Sequence, residues 1–165
     1  TNAPEDAAEV VAAMVAHPAV RRVNFTGSTK VGRIIARLAA ERLIPVLLEL
    51  GGNNAAIVAA SADLELATRG IVFAAAGTAG QRCTTMRRVI AHESIVDELV
   101  ARIAAVYGRL PIGDPFAEGT LVGPLIDGRA FTAMSAALQT ALADGGILDP
   151  LPMAPIAAAP AASVL

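Results

Sequence analysis

Between Val20 and Leu50 the sequence switches from strand to helix periodicity and back again, which restricts the fold more than any other stretch. Val20 to Phe25 is short, β-branched and aromatic, reads as a strand, and runs into a turn at Gly27. Beyond the turn, Val31, Ile34, Ile35 and Leu38 share one face of a helix predicted from Thr29 to Arg42, with Arg33, Arg37, Glu41 and Arg42 left for water. Pro45 opens a second apolar run, Val46 to Leu50, which reads as a buried strand carrying one carboxylate, Glu49. Strand, helix, strand in this order predicts a parallel pair joined by a right-handed crossover, and hence an α/β fold.

The flanking segments follow the same rules. Pro4, Glu5 and Asp6 suit a helix start, and Ala7, Val10, Val11 and Met14 carry that helix to about Ala16, where His17-Pro18 breaks it. Gly51-Gly52-Asn53-Asn54 turns the chain into another apolar segment, Ala55 to Ala59. A helix from Asp63 is expected to bury Leu64, Thr68, Ile71, Val72 and Ala75 and to end at Gly77 and Gly80, which leaves Cys83 in a loop. Arg87 to His92 reads as a strand. Ser94 and Asp97 then form a capping-box pattern for a helix with Val96, Leu99, Val100, Ile103 and Tyr107 on its buried face and Gly108 at its end. A last helix is expected from about Gly128 to Leu142, supported by Phe131, Met134, Leu138 and Leu142, and stopping at Asp144-Gly145-Gly146. From Ile147 to Leu165, Pro and Ala dominate and neither periodicity is sustained. This irregular tail is either a flexible linker or an out-of-frame translation, and the abrupt change favours the second.

Composition narrows the function. A chain of 165 residues with 55% hydrophobic content can bury a sizeable core, built from many small contacts because only 3% is aromatic. A net charge of −2, with the arginines dispersed, provides no field for nucleic acid, which is excluded as a partner. One cysteine cannot form an internal disulfide, and with two distant histidines it builds no metal site, so a reducing, cytoplasmic setting is expected. Uncharged runs such as Leu50–Ala62 are too short and too rich in Gly and Asn to span a bilayer, and no membrane partner is expected.

Two residues stand out chemically. Cys83 lies in Gly-Gln-Arg-Cys-Thr-Thr (80–85), a polar loop bounded by glycine, although a lone intracellular cysteine is most often a small buried hydrophobe. As a thiolate it could attack an aldehyde, and Arg82 beside it is a cation of the kind that activates thiols. Glu49 in Leu-Leu-Glu-Leu-Gly-Gly (47–52) is expected to be desolvated at its apolar strand end, which would raise its proton affinity toward that of a general base. Gly27-Ser28-Thr29-Lys30-Val31-Gly32 lies between strand and helix, where backbone N–H groups can meet a pyrophosphate, but the turn lacks Gly-x-Gly-x-x-Gly spacing and alone reads equally well as an ordinary turn. His17, His92, Asn53, Asn54 and Arg87-Arg88 read as turn or strand-end residues and receive no role.

Taken together, Phe25-Thr26-Gly27-Ser28-Thr29 with Gly32, then Leu-Glu-Leu-Gly-Gly, then Gly-Gln-Arg-Cys-Thr-Thr resemble in order and spacing the signatures of the NAD(P)-dependent aldehyde dehydrogenases. The resemblance implies part of a Rossmann-type parallel sheet in residues 1–50, the C-terminal part of a dinucleotide-binding domain, followed by the N-terminal part of a catalytic α/β domain in residues 51–146. It makes Cys83 the nucleophile and Glu49 the base that activates water. Thr26, Gly27, Ser28, Gly32, Leu50 and Gly51 become contacts to NAD, with NADP the alternative. The substrate would be a small-molecule aldehyde, and full-length members would be homo-oligomers. From Gly51 onward the sequence is similar to the α-aminoadipic semialdehyde (piperidine-6-carboxylate) branch, which implies lysine catabolism and assigns Arg82 to the substrate carboxylate. Residues 19–50 are closer to branches acting on aromatic aldehydes. The family's upstream asparagine and lysine and its downstream Glu-x-Phe-Gly-Pro do not occur here, so little dehydrogenase activity is expected of this chain alone.

Overall fold

Two stretches of parallel pairing organise the chain, and each belongs to its own compact unit, the units parting between Gly52 and Asn53. The structure is a computed structural model that describes residues 7–147. The tail expected from Ile147 onward thus lies, apart from its first residue, outside the described residues, as does Pro4.

In the first unit, α1 (Ala7–Ala16) is followed by β1 (Val23–Gly27), α2 (Thr29–Glu41) and β2 (Val46–Leu50). β1 and β2 are parallel neighbours with Thr26 beside Glu49 and Gly27 beside Leu50. The parallel pair expected from the sequence is present, but β1 begins three positions later than Val20. The cause is local: Val20 N–H donates to the His17 carbonyl, and its own carbonyl accepts from Arg42 Nη1 at 3.1 Å, so neither is free for the ladder. Arg42 also donates to the Val15 carbonyl at 2.6 Å, pinning the end of α1. α2 ends in a Schellman-type turn, Ile44 N–H to Ala39 O and Leu43 N–H to Ala40 O, with Leu43 at φ 54° in the left-handed seat that glycine usually fills.

The buried side of α2 is Gly32, Ile35 and Ala39, so of the expected Val31, Ile34, Ile35 and Leu38 only Ile35 is buried. Val31 and Ile34 are exposed, Ile34 at 49%. In α1 likewise, Val15 is buried whereas Met14 is 61% exposed. Small residues face inward because α2 lies close upon β2. A Cβ built on Gly32 would fall 2.6 Å from Leu50 Cδ2. Gly32→Ala is expected to be near neutral, since the Leu50 methyl can rotate away and the helix gains about 1 kcal/mol from alanine. Gly32→Val adds two γ-carbons in the same space and should lower stability by about 1–3 kcal/mol, read from the urea midpoint.

In the second unit, β3 (Asn54–Val58) and β4 (Met86–Ala91) are parallel, connected through α3 (Leu64–Ala76). α4 (Val96–Tyr107) and α5 (Gly128–Ala143) follow. Asp63 caps α3 by accepting the Leu66 N–H at 3.0 Å, so the helix starts where the sequence indicates. Val58, Ile71 and Leu99 form the buried centre, with Ala56, Met86 and Ile103 packed around them. Thr68, expected on the buried face, is buried and satisfies its hydroxyl on the Leu64 carbonyl at 2.6 Å.

Two expectations fail in this unit. The capping box at Ser94 and Asp97 does not form: the residue before α4 is Ile95, and Ser94 instead hydrogen-bonds His92 Nδ1 at 2.9 Å. The buried face of α4 is narrower than expected, with Val100 47% and Val96 36% exposed while Leu99 is 1% exposed. α5 forms where the sequence indicates, although it buries none of its residues and Phe131 is 54% exposed. Asp127 caps α5, and the hydrogen bond from Ala130 N–H, then the one from Arg129, hold its carboxyl below the usual carboxylate range.

Candidate active site

In the first unit the predicted cofactor residues come together through strand register. Parallel pairing puts Thr26 and Gly27 beside Glu49 and Leu50 at the C-terminal ends of β1 and β2, the end of a parallel α/β sheet where ligands bind. Ser28, just past β1, is the N-cap of α2; its Oγ accepts the Val31 N–H at 3.3 Å and its carbonyl accepts the Gly32 N–H at 2.9 Å. The N–H groups of Thr29 and Lys30, in the first turn of the helix, have no intrahelical acceptor and point where the macrodipole favours negative charge. This terminus fits a phosphate-bearing cofactor. Gly51 follows β2 and is exposed. Glu49 is also exposed, so the desolvation expected of it is absent: in β2 it shares the outward face with Leu47, while Val46, Leu48 and Leu50 are half-buried on the other.

In the second unit the loop before β4 holds Cys83 in a tightly closed turn. Thr85 N–H donates to the Arg82 carbonyl at 3.1 Å, and Arg82 N–H donates to Thr85 Oγ1 at 3.0 Å, so the residues either side of Cys83 and Thr84 are tied twice. Thr85 is buried, whereas the Cys83 thiol is exposed, against the buried fate that a lone cysteine most often meets. Among the described residues Cys83 N–H has no hydrogen-bond partner. Ahead of the turn, Thr78, Ala79 and Gly80 have φ of 53°, 52° and 75°, a left-handed run costing about 1–2 kcal/mol at each of the first two.

Arg82 turns its guanidinium toward the end of α3. It lies 5.6 Å over the Phe73 ring and donates to the Phe73 carbonyl at 3.4 Å. A Cβ at Gly77 would collide with Nη2, so the glycine makes room for this placement. Arg82 Nε is buried without a partner among the described residues.

Two residues that sequence reasoning left without a role hold this loop. Asn54 Nδ2 donates to the carbonyls of Cys83 at 2.8 Å and Thr85 at 3.1 Å. Gln81 Oε1 accepts the Ile126 N–H at 2.8 Å, and its Nε2 donates to Thr78 O, which draws the segment around Pro124 onto the loop. The clue for Asn54 lay in the strand order. It heads β3, Cys83 lies three residues before the first residue of β4, and a parallel pair brings the heads of its strands together.

Among the described residues no group of three or more His, Cys, Asp or Glu is arranged to hold a metal, and no helix is long and apolar enough to cross a membrane.

Comparison with known proteins agrees with the fold. The aldehyde dehydrogenase family model matches residues 3–148, and the chain belongs to that family. It is 45% identical over 148 residues to the vanillin dehydrogenase of Pseudomonas fluorescens, covering 90% of this chain and 31% of that protein. It is also 45% identical over 139 residues to the α-aminoadipic semialdehyde dehydrogenase of Bos taurus, covering 84% of this chain and 26% of that one. The structure superposes on the salicylaldehyde dehydrogenase of Pseudomonas putida G7 with a TM-score of 0.84 at 36% identity, covering 87% of this chain and 30% of the other. The chain therefore has a partial aldehyde dehydrogenase fold of α/β class, spanning less than a third of each of these three proteins.

Proposed function

We propose that this chain carries the nucleophile and part of the cofactor site of an enzyme that oxidises an aldehyde to a carboxylate with NAD(P)+. The observation that carries the reading is the Cys83 turn, an exposed thiol on a backbone tied at both ends, with its own N–H unspent. Cys83 Sγ adds as thiolate to the aldehyde carbon, and its N–H donates to the oxygen that gains the electron pair. The dinucleotide, when bound, supplies the two-electron acceptor that converts the thiohemiacetal to a thioester. Glu49 takes a proton from water; the resulting hydroxide attacks the thioester carbon, the C–S bond breaks, and the carboxylate leaves with the thiolate restored.

NAD is assigned to the C-terminal end of β1 and β2 on the strength of the free N–H groups of α2, with Thr26, Gly27, Ser28, Gly32, Leu50 and Gly51 around it and NADP the alternative. On this reading residues 1–50 are the end of a dinucleotide-binding domain and residues 51–146 the start of a catalytic domain, in keeping with the break at Gly52. The substrate is α-aminoadipic semialdehyde or a related semialdehyde. Support comes from the likeness to the bovine enzyme and from Arg82, a cation next to Cys83 whose guanidinium is held, among the described residues, only by one long hydrogen bond, Nη2 to Phe73 O at 3.4 Å, and by the Phe73 ring. A cytoplasmic setting follows from the single unpaired thiol, and assembly into homo-oligomers from the family reading of the full-length protein.

Grafting residues 3–148 into the P. fluorescens vanillin dehydrogenase in place of its matching stretch tests this. The graft is expected to form NADH with α-aminoadipic semialdehyde. Arg82→Met in the graft should cut kcat/KM for that substrate by about 10–100-fold while changing propanal by less than about threefold. A folded graft that binds NAD+ and oxidises no aldehyde would refute the reading.

A further inference from the structure

We propose that Asn54 is a positioning residue for the nucleophile, its side-chain amide fixing the backbone on which Cys83 acts. The inference rests on the nucleophile reading of Cys83 and gives a role to a residue that the sequence left without one. An amide nitrogen carries two hydrogens, and here each has its own acceptor, the Cys83 carbonyl and the Thr85 carbonyl. Neither carbonyl accepts a hydrogen bond within the turn. The Arg82 carbonyl is already taken by Thr85 N–H inside the turn. Because none of the peptide bonds is cis, Cys83 N–H points opposite to that carbonyl, away from the turn interior. With Arg82 O and Cys83 O both held, the peptides on either side of Cys83 are fixed, and so are the directions of its N–H and its Cα–Cβ bond.

The position of Asn54 is itself specified. The register between β3 and β4 shifts at this point, Asn54 opposite Met86 but Ala55 opposite Arg88, so Arg87 is an extra residue on β4. A bulge of this kind re-aims the neighbouring side chain, and it sets Asn54 against the residue that follows the turn. No other side chain of the described residues reaches the Cys83 carbonyl.

The test compares two reactions of the Cys83 thiol in this chain. p-Nitrophenyl acetate acylates it: the thiolate adds to the ester carbon, an oxyanion forms and collapses, and p-nitrophenolate leaves. Iodoacetamide alkylates it by displacing iodide, with no oxyanion. If Asn54 sets the Cys83 N–H, Asn54→Ala should slow acylation by about tenfold or more, short of the 100-fold typical for losing a donor outright, and slow alkylation by less than about threefold. Asn54→Asp, isosteric but without a donor, should match Asn54→Ala, and Asn54→Gln should recover part of the loss. Where far-UV circular dichroism shows that Asn54→Ala has not folded, Asn54→Ser, which keeps one hydroxyl donor, is compared instead, with a fall of about threefold in acylation expected. Acylation and alkylation falling together, or neither falling, overturns the proposal. Acylation that persists unchanged in Cys83→Ala sinks the nucleophile reading and this proposal with it, and that result is independent of any Asn54 variant.

Discussion

Cys83→Ala in the grafted enzyme is expected to reduce aldehyde-dependent NADH formation by at least about 1,000-fold, because no other group of the turn can form the covalent bond from which the electron pair leaves. Glu49→Gln should behave differently. In the proposed scheme its carboxylate enters only after oxidation, so a first turnover near the wild-type amount should survive as a burst, followed by a steady state lowered by about 100–10,000-fold. Stopped-flow absorbance at 340 nm separates the two. A Glu49→Gln enzyme without a burst would move the carboxylate to an earlier step, and a Cys83→Ala enzyme with substantial turnover would end the covalent scheme.

The largest effect on stability is expected at Leu99. It is 1% exposed and packs with Val58 and Ile71 at the centre of the second unit. Leu99→Ala removes three carbons from a site that cannot fully collapse, at a cost of about 2–5 kcal/mol, comparable to the whole stability of a small domain. Val100, one residue on and 47% exposed, should lose less than about 1 kcal/mol when changed to alanine. Urea titrations followed by tryptophan-free far-UV circular dichroism report both. Equal shifts would mean that α4 packs on a different face.

These contrasts show what the sequence could and could not reveal. Glycines and a capping aspartate punctuate it clearly, so Gly27, Asp63 and Gly108 mark element ends to within a residue. The direction each helix faces was less legible. The spacing of apolar residues in α2 pointed to Val31 and Ile34, but the helix buries Gly32, which lies close to Leu50, and Ala39, small residues that add little to an apolar periodicity. The same limit applies to α5, whose periodicity is real although no side chain in it is buried.

The loop setting of Cys83 and the strand-to-helix turn at Ser28 were legible because they are local in sequence. Asn54 was not. Its partners lie 29 and 31 positions away, and only the pairing of β3 with β4 brings them into reach. The surroundings of Glu49 were misjudged because apolar neighbours in a strand alternate sides, and the carboxylate shares its side with Leu47 rather than with Leu48.

That alternation makes the site depend on parity. Thr26 and Glu49 are neighbours because each strand delivers its residue after a set number of steps, and the outward face of β2 is reached on every second one. Leu48 may therefore become valine or isoleucine with the carboxylate left where it is, while deleting any one residue between Pro45 and Glu49 would turn it to the opposite side. For this edge of the fold, the number of residues is a stricter requirement than their identity.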